Sequence, residues 1–458
     1  SAWFVTCHDF YGRKTLEWIL ILPLTIPTYI AAYAYYDALE LLNPVFNWSR
    51  SHIGIKETMM LENFAIYLIV IILFSFVLYP YIYLSVRASL LISGNRLVES
   101  AATLGLPSNK VFSKLILPFI KPAIIAGLSL VIMETLNDYA AVEYFGISTL
   151  TIGIFRSWFG MYDMASALKL SSYLILFTFF ILIMEKAYRG KERYNNITGS
   201  QNSFRKIPIE NKRLLFVYIF CCIPFIFGFL VPVVRLITWL WYSNLNFADM
   251  NILKISLNTI LISLLSSLSI VCIAFTINFI KNYFNNRVLK KMSQLAILGY
   301  SIPGAIIAIG ILKLNSYFNN ISNTLIIGSI FGLVFAYTVR FLAVAWQPIQ
   351  SSMEKQCKNI NNASRVLKVS PSKSFLRINL PILKKPLLIV ALIVFIDIAK
   401  ELPLTLILRP FNFDTLATYT YDLINQAQFF QSSLPSLLII LISLPAIFYL
   451  NKGTRNES

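Results

Sequence analysis

Residues 97–118 read LVESAATLGLPSNKVFSKLILP, and residues 358–381 read KNINNASRVLKVSPSKSFLRINLP. Each stretch is small, polar and turn-rich, and each sits between long apolar runs. The second is a worn copy of the first, so the chain carries an internal repeat, and its register organises everything around it. A shift of 263 lays Leu117-Pro118 on Leu380-Pro381, Phe112 on Phe375, Glu134 on Asp397 and Asp138 on Glu401. Further upstream the register moves to 276, where Ile26-Pro27 meets Ile302-Pro303. Both halves pass through their apolar runs in the same order. That is a parallel repeat, of the kind related by an axis along the membrane normal.

Composition places the chain in a membrane. Hydrophobic residues make up 57% and charged residues 13%, with mean hydropathy +0.68, where a soluble domain carries about 25% charged residues. A net charge of +18 raises nucleic acid as a partner, but the basic residues lie in short loops between apolar spans. That pattern is a topology signal, and the expected partner is the lipid bilayer, with no nucleic acid. The five cysteines (Cys7, Cys221, Cys222, Cys272, Cys357) show no C-x-x-C spacing, and Cys221-Cys222 lies inside an apolar span as packing. His8 and His52 are the only histidines, which excludes a His-rich metal centre.

A helix needs about 20 apolar residues to cross the hydrocarbon core. That rule gives ten spans: 16–39, 64–90, 119–139, 167–187, 214–238, 254–280, 292–313, 323–346, 386–408 and 433–450. Runs of this length without alternation are helices, so the class is an all-α integral membrane protein. Taken alternately, one set of loops holds 26 Lys and Arg and the other five. The first set is therefore expected in the cytoplasm. It contains both quoted stretches and the C-terminus.

The longest polar stretch, 188–213, reads as a cytoplasmic linker between a first repeat, 1–187, and a second, 214–458. The sequon Asn196-Ile197-Thr198 falls in it, on the wrong side of the membrane for glycosylation. In the 276 register, residues from 214 to about 276 have no counterpart in the first half. The expectation is a first repeat clipped at its N-terminus, from an intact chain of twelve spans arranged as six plus six.

The first loop has Glu99-Ser100-Ala101, three residues, Gly105, nine residues, then Leu115-Ile116-Leu117-Pro118. This resembles the EAA motif of ABC-importer permeases, E-A-A-x3-G-x9-I-x-L-P. Small residues at 100–102 let a helix sit close to another surface, Gly105 permits a left-handed turn, and Pro118 is tolerated in the first turn of the next span. The second copy has Asn362, Ala363, Ser364 and Lys368 at the fixed positions, with Leu380 and Pro381 kept. A lysine in the left-handed position costs about 1 kcal/mol, so this turn is expected to be built differently. The stretches METLNDYAAVEYFGISTLTIGIFRSWFGMYD (133–163) and KELPLTLILRPFNFDTLATYTYD (400–422) are similar to the fused permeases of ferric-iron ABC importers, as is EKAYRGKERYNN (185–196).

The resemblance implies a type I importer permease fold in two bundles, in the bacterial inner membrane. It implies two copies of a cytoplasmic ABC ATPase docked on the loops, and a periplasmic binding protein that delivers Fe(III). The chain itself is then no enzyme and binds no cofactor; ATP and Mg are used by the partner. In line with this, the sequence carries no Walker A loop and no nucleophile–base arrangement. Permeases for thiamine, polyamine or phosphonate remain alternatives within the family. A carrier run by an ion gradient is the rival from another class, but it needs no ATPase dock.

Ionisable residues in membrane spans are functional candidates. Glu134 and Asp138 are spaced i, i+4 on one helix face, and Asp397 and Glu401 repeat the arrangement, with Lys400 beside them. Oxygen ligands suit a hard cation, and a tight site would impede release, so these carboxylates are transient candidates with no stable metal site expected. Two readings stand: a pathway, or pairs with Lys400, Arg340 or Arg156 that lock helices. The outer loops 140–166 and 409–433 carry Glu143, Tyr144, Arg156, Arg409 and Asp414, which suit binding-protein docking or a gate. An interfacial aromatic belt is the other reading of their aromatics.

Overall fold

A computed structural model describes residues 1–103, 111–188, 207–208, 211–243, 250–284, 298–322, 328–356 and 358–455. Helices dominate. The first part of the chain forms α1 (Ala2–Cys7), α2 (Arg13–Ile19), α3 (Thr28–Glu40), α4 (Asn43–His52) and α5 (Ile55–Thr103), then α6 (Leu117–Asn137), α7 (Ala140–Tyr144), α8 (Leu150–Phe155) and α9 (Met164–Tyr188). The remainder forms α10 (Asn211–Phe225), α11 (Val231–Tyr242), α12 (Met250–Phe284), α13 (Gly304–Ser322), α14 (Ile330–Gln356) and α15 (Lys358–Val366). It ends with α16 (Leu380–Ala399), α17 (Pro403–Leu408), α18 (Leu416–Asn425) and α19 (Phe429–Arg455). Among the described residues the extended structure is one parallel two-residue pairing, His8 with Ile207 and Asp9 with Pro208.

Seven helices in the described residues are long and apolar enough to cross a membrane, and a pair of helices bent by 90° is so when taken together. That pair, Arg13–Thr25 with Thr28–Asp37, replaces the single expected span 16–39. The break falls at Ile26-Pro27, because proline cannot donate into the preceding turn and its ring disfavours helix in the residue before it. The expected span 386–408 is likewise not one helix. It stops at Ala399 and restarts at Pro403, a residue preorganised for a first turn. Of 292–313, the described part is a tight turn at Leu298–Ser301 and the apolar helix Gly304–Leu314.

Packing groups the chain into two compact units whose boundaries differ from the halves of the sequence. The first holds Ser1–Gly153, Ser172–Leu236 and Arg455–Ser458; the second holds Ile154–Ser171 and Ile237–Thr454. Residues 214–236, at the head of the second half, thus pack in the first unit.

In the first unit α5 is gripped at two glycines. A Cβ on Gly127 would lie 2.6 Å from the Ile82 Cα, and one on Gly228 would lie 2.1 Å from the Phe76 carbonyl oxygen. Small residues allow such close backbone approach where lipid gives no hydrophobic drive between helices. The core of the second unit forms where α12, α14 and α16 meet around Leu333, Tyr337, Phe341, Ile349, Val390 and Val394. One face of α12 buries Thr259, Ser263, Ser266 and Ile270, while Leu257, Leu261, Leu264 and Leu268 form an exposed apolar stripe. Spacing of three and four puts each set on one side of the helix. The exposed stripe is what a bilayer would cover.

The repeat recurs in the backbone. The tight turn Leu22–Thr25 followed by α3 at Thr28 has its equivalent, 276 residues on, in Leu298–Ser301 followed by α13 at Gly304.

Candidate functional site

The loop 358–381 is a helix, a turn and a second helix. Its turn closes α15 with a Schellman motif: Val369 N–H donates to the Ser364 carbonyl at 2.9 Å and Lys368 N–H to the Arg365 carbonyl at 3.1 Å. Lys368 has φ +52°. The expectation of a different build is therefore corrected: the lysine adopts the left-handed conformation a glycine would, because the hydrogen bonds of the turn require it. Lys368→Gly is expected to relieve about 1 kcal/mol of left-handed strain. Part is given back through the freer unfolded chain, so a small rise in the thermal unfolding midpoint is the result to look for.

Buried polar contacts hold the loop together. The Asn379 side-chain amide donates to Asn361 Oδ1 and to the Ser374 carbonyl, both at 2.9 Å. The Ser364 hydroxyl donates to the Asn361 carbonyl and lies 3.3 Å from the Ser374 hydroxyl. Phe375 stacks on Phe275 with centroids 4.6 Å apart and meets Phe279 edge-on at 5.1 Å. Tyr283 donates to the Val369 carbonyl at 3.3 Å. On the outside stand Val366, 81% exposed, and Leu367, 75% exposed, with Asn362, Ala363, Lys368 and Pro381 also exposed and Leu380 partly so. Asn361 and Asn379 were not singled out in the sequence. Their signal was an asparagine inside the otherwise apolar Ile378-Asn379-Leu380-Pro381.

In the first copy, α5 continues through Glu99-Ser100-Ala101 to Thr103, and Gly105 lies outside the described residues. Leu117 and Pro118 are exposed at the start of α6. A wide π turn precedes α6 at Phe112–Ile116, as one precedes α16 at Ser374–Asn379. Trp3 and Phe112 have centroids 6.0 Å apart. They are the repeat equivalents of Phe279 and Phe375, Trp3 in the 276 register and Phe112 in the 263 register.

The membrane carboxylates are arranged differently from the sequence expectation. Glu134 lies on α6, but α6 ends at Asn137 and Asp138 is extended, with ψ 125°. Asp138 is therefore not part of a continuous helix face. It is buried, its Oδ1 accepts the Ala141 N–H at 2.9 Å, and its Oδ2 accepts the hydroxyl of Thr28. One carboxylate thus caps α7 and grips the first residue after the break. Glu401 does the same in the second repeat: Oε1 accepts the Leu404 N–H at 3.1 Å and pairs with Arg340 Nη1 at 3.2 Å. Gly304, in the place of Thr28, leaves the space the guanidinium fills; a Cβ there would lie 2.0 Å from Arg340 Nη1. Asp397 pairs with Lys400 at 2.9 Å. Among the described residues no group of three or more His, Cys, Asp or Glu side chains could hold a metal ion.

Of the outer-loop candidates, Glu143 accepts the Tyr139 hydroxyl at 2.6 Å, and the Tyr144 ring meets Tyr33 and Tyr36, each with centroids 4.8 Å apart. Burial, aided by Tyr36, Asp37 and Glu40, raises the Tyr144 phenol above its ordinary value, so it stays neutral. Arg156 is exposed on a wide turn. Arg409 binds Asp414 and also Asp422, the latter at 3.1 Å. Asp422, which the sequence did not suggest, is raised by burial against the opposing pull of Arg409. This clamp anchors a turn on which Phe411 stands 98% exposed. The turn closes by Phe413 N–H to the Pro410 carbonyl at 3.2 Å, with Asn412 left-handed.

Residues 4–190 match the family described as binding-protein-dependent transport system inner membrane component. The Fe(3+)-transport system permease protein FbpB 2 of Haemophilus influenzae is 25% identical over 456 residues, covering 98% of this chain and 85% of that protein. The sulfate transport system permease protein CysT of Salmonella typhimurium is 29% identical over 143 residues, 31% of this chain and 49% of that protein. The molybdenum transport system permease protein ModB of Haemophilus influenzae is 24% identical over 148 residues, 31% of this chain and 60% of that protein. Two repeat-related loops and repeat-related broken helices thus accompany a likeness, over residues 4–190, to the binding-protein-dependent transport system inner membrane components.

Proposed function

We propose that this permease carries Fe(III) inward across the bacterial inner membrane, driven by two copies of a cytoplasmic ATPase and loaded by a periplasmic binding protein. ATP and Mg are used by the ATPase, and the C-terminus faces the cytoplasm. The observation that carries the coupling half of this reading is the loop 358–381, where Val366 and Leu367 stand in solvent on a frame of buried hydrogen bonds. An apolar tip on a rigid polar frame is what an ATPase groove would take up. The substrate rests on the likeness along 98% of the chain to a Fe(3+) permease. Sulfate and molybdenum, named in the shorter matches, are the competing cargoes, the latter tested as molybdate.

Within this reading Glu134 on α6 and Asp397 on α16 each serve the path within their own unit. Asp138 and Glu401 hold the broken helices, and Lys400 tunes Asp397. The test is uptake into proteoliposomes holding the permease, its ATPase and its binding protein. Fe(III) uptake should need ATP, Mg and the binding protein, and excess sulfate or molybdate should leave it unchanged. The double variant Glu134→Gln/Asp397→Asn should lower it. Uptake that persists without the ATPase would sink the importer reading, and unchanged uptake in the double variant would sink the path.

A further inference from the structure

The first unit contains a buried ionic cluster that the site above does not use. Glu17 and Arg87 are each 7% exposed. Glu17 Oε1 accepts from Arg13 Nη1 at 2.7 Å, and Glu17 Oε2 lies 3.5 Å from Arg87 Nη2. Arg13 also donates to the Val5 carbonyl at 3.3 Å and lies 3.7 Å from Asp9. One turn above Arg87, counted towards the N-terminus of α5, lies buried Tyr83. One turn further, the Tyr79 hydroxyl donates to the Leu20 carbonyl at 2.5 Å. Charges taken out of water cost several kcal/mol each, and a buried pair often gives no more stability than apolar residues of the same size. Such a pair needs a reason other than stability.

Its position supplies one. Glu17 lies in α2, the first arm of the bent pair, whose second arm starts at Thr28 against Asp138. Arg87 lies on α5, which runs without interruption to Thr103 and so carries Glu99-Ser100-Ala101. Twelve residues of helix separate Arg87 from Glu99, about 18 Å at 1.5 Å per residue. A rigid rod therefore joins the loop to the pair, and the pair joins the rod to the broken helix. The second repeat has no such charges at the matching positions: Gln350 stands for Arg87, Leu289 for Arg13 and Ser293 for Glu17. Gln350 instead accepts from the Trp346 ring N–H at 2.9 Å and donates to Glu354 at 2.8 Å.

We propose that the Glu17–Arg87 pair is a coupling latch of the first repeat, through which movement of the ATPase-bound loop reaches the broken helix. Both are positioning residues, and the latch rests on the importer reading above. Pulling α5 along its axis drags the arm that ends at Pro23 and Thr25, and with it the start of α3. Because these positions carry charges in the first repeat alone, the two loops are unequal in the charge available to couple them.

The test uses the full complex of permease, ATPase and binding protein in proteoliposomes, reading uptake and ATP hydrolysis together. In Glu17→Gln/Arg87→Gln, which neutralises both partners at nearly constant volume, uptake per ATP hydrolysed should fall about tenfold or more, within the usual range of coupling energies. ATP hydrolysis stimulated by the binding protein should persist. Arg87→Lys keeps the charge and should keep most of the coupling, and it decides the matter alone if the double variant fails to assemble: an Arg87→Lys ratio below that of Gln350→Leu, made in the second repeat, overturns the latch. Uptake and hydrolysis falling in step in the double variant, or neither changing, also overturns it. A wild-type complex whose ATPase ignores the binding protein refutes the importer reading instead, a result distinct from loss of the latch.

Discussion

Gly304→Ala is expected to destabilise the second unit by about 3–5 kcal/mol, the cost of breaking a buried ion pair by displacing one partner. The added Cβ would stand 2.0 Å from Arg340 Nη1 and 2.7 Å from Glu401 Oε1. Neither distance is tolerable, and the atom that must yield is the end of the Arg340 side chain. Arg340 is 4% exposed and Glu401 5%, so the guanidinium has no solvent to swing into without leaving the carboxylate uncompensated. The Phe341 ring also lies 5.2 Å from the guanidinium carbon and offers a smaller attraction. The thermal unfolding midpoint in detergent should fall, and transport should fall with it.

The first repeat supplies the control. Thr28→Gly removes one hydroxyl donor to Asp138, and its cost is expected near 1.5–3 kcal/mol, the range for a hydrogen bond to a charged group. Adding Arg340→Met/Glu401→Gln to Gly304→Ala removes the charge that alanine displaces. The triple variant should therefore lose less than the sum of its parts, with an interaction energy of about 1 kcal/mol or more, since the groups touch. Strict additivity would mean that Gly304 serves only the backbone.

Several of these features were open to reading in the sequence. The 263 and 276 registers, taken from Leu117-Pro118 and Ile26-Pro27, locate repeat-equivalent turns, helix starts and ring contacts without further information. Helix ends were harder to see. Glu134 and Asp138 look like one face because the apolar pattern runs through them, and helix periodicity alone cannot show that a chain has stopped being a helix. The available signal was Pro403, two residues after Glu401, which marks the first turn of a new helix. An acidic residue just before such a turn reads as its cap.

Arg13, Glu17 and Arg87 escaped notice for another reason. Arg13 falls in a loop, where counting basic residues treats it only as a topology marker. Glu17 and Arg87 stand at the ends of the expected spans 16–39 and 64–90, where a charged side chain commonly reaches the interface and announces no partner. The grouping of 214–236 with the first unit was not legible at all. A helix that is apolar on most sides does not announce its neighbour in its own pattern. Likeness to transport permeases adds no residue role, so the roles of Asp138, Glu401 and Asn379 come from geometry alone.

The last large effect is expected at the tip of the second loop. Val366→Asp/Leu367→Asp places two carboxylates where two side chains stand 81% and 75% in solvent. Neither contributes to the frame, which rests on Asn361, Ser364, Ser374, Asn379 and Phe375. Folding stability should therefore stay within about 0.5 kcal/mol, as for surface substitutions remote from special features. On the importer reading proposed above, binding of the ATPase should weaken by about 2 kcal/mol or more, roughly thirtyfold, the loss typical of an interface anchor. Co-purification of the ATPase and its stimulation by the permease measure this directly. Asn379→Leu attacks the same loop from inside, leaving the tip intact and removing the amide that joins Asn361 to Ser374. It should lower the unfolding midpoint and weaken the ATPase only in proportion to the frame lost. If the tip variant lowers stability while the frame variant does not, the assignments of tip and frame are reversed.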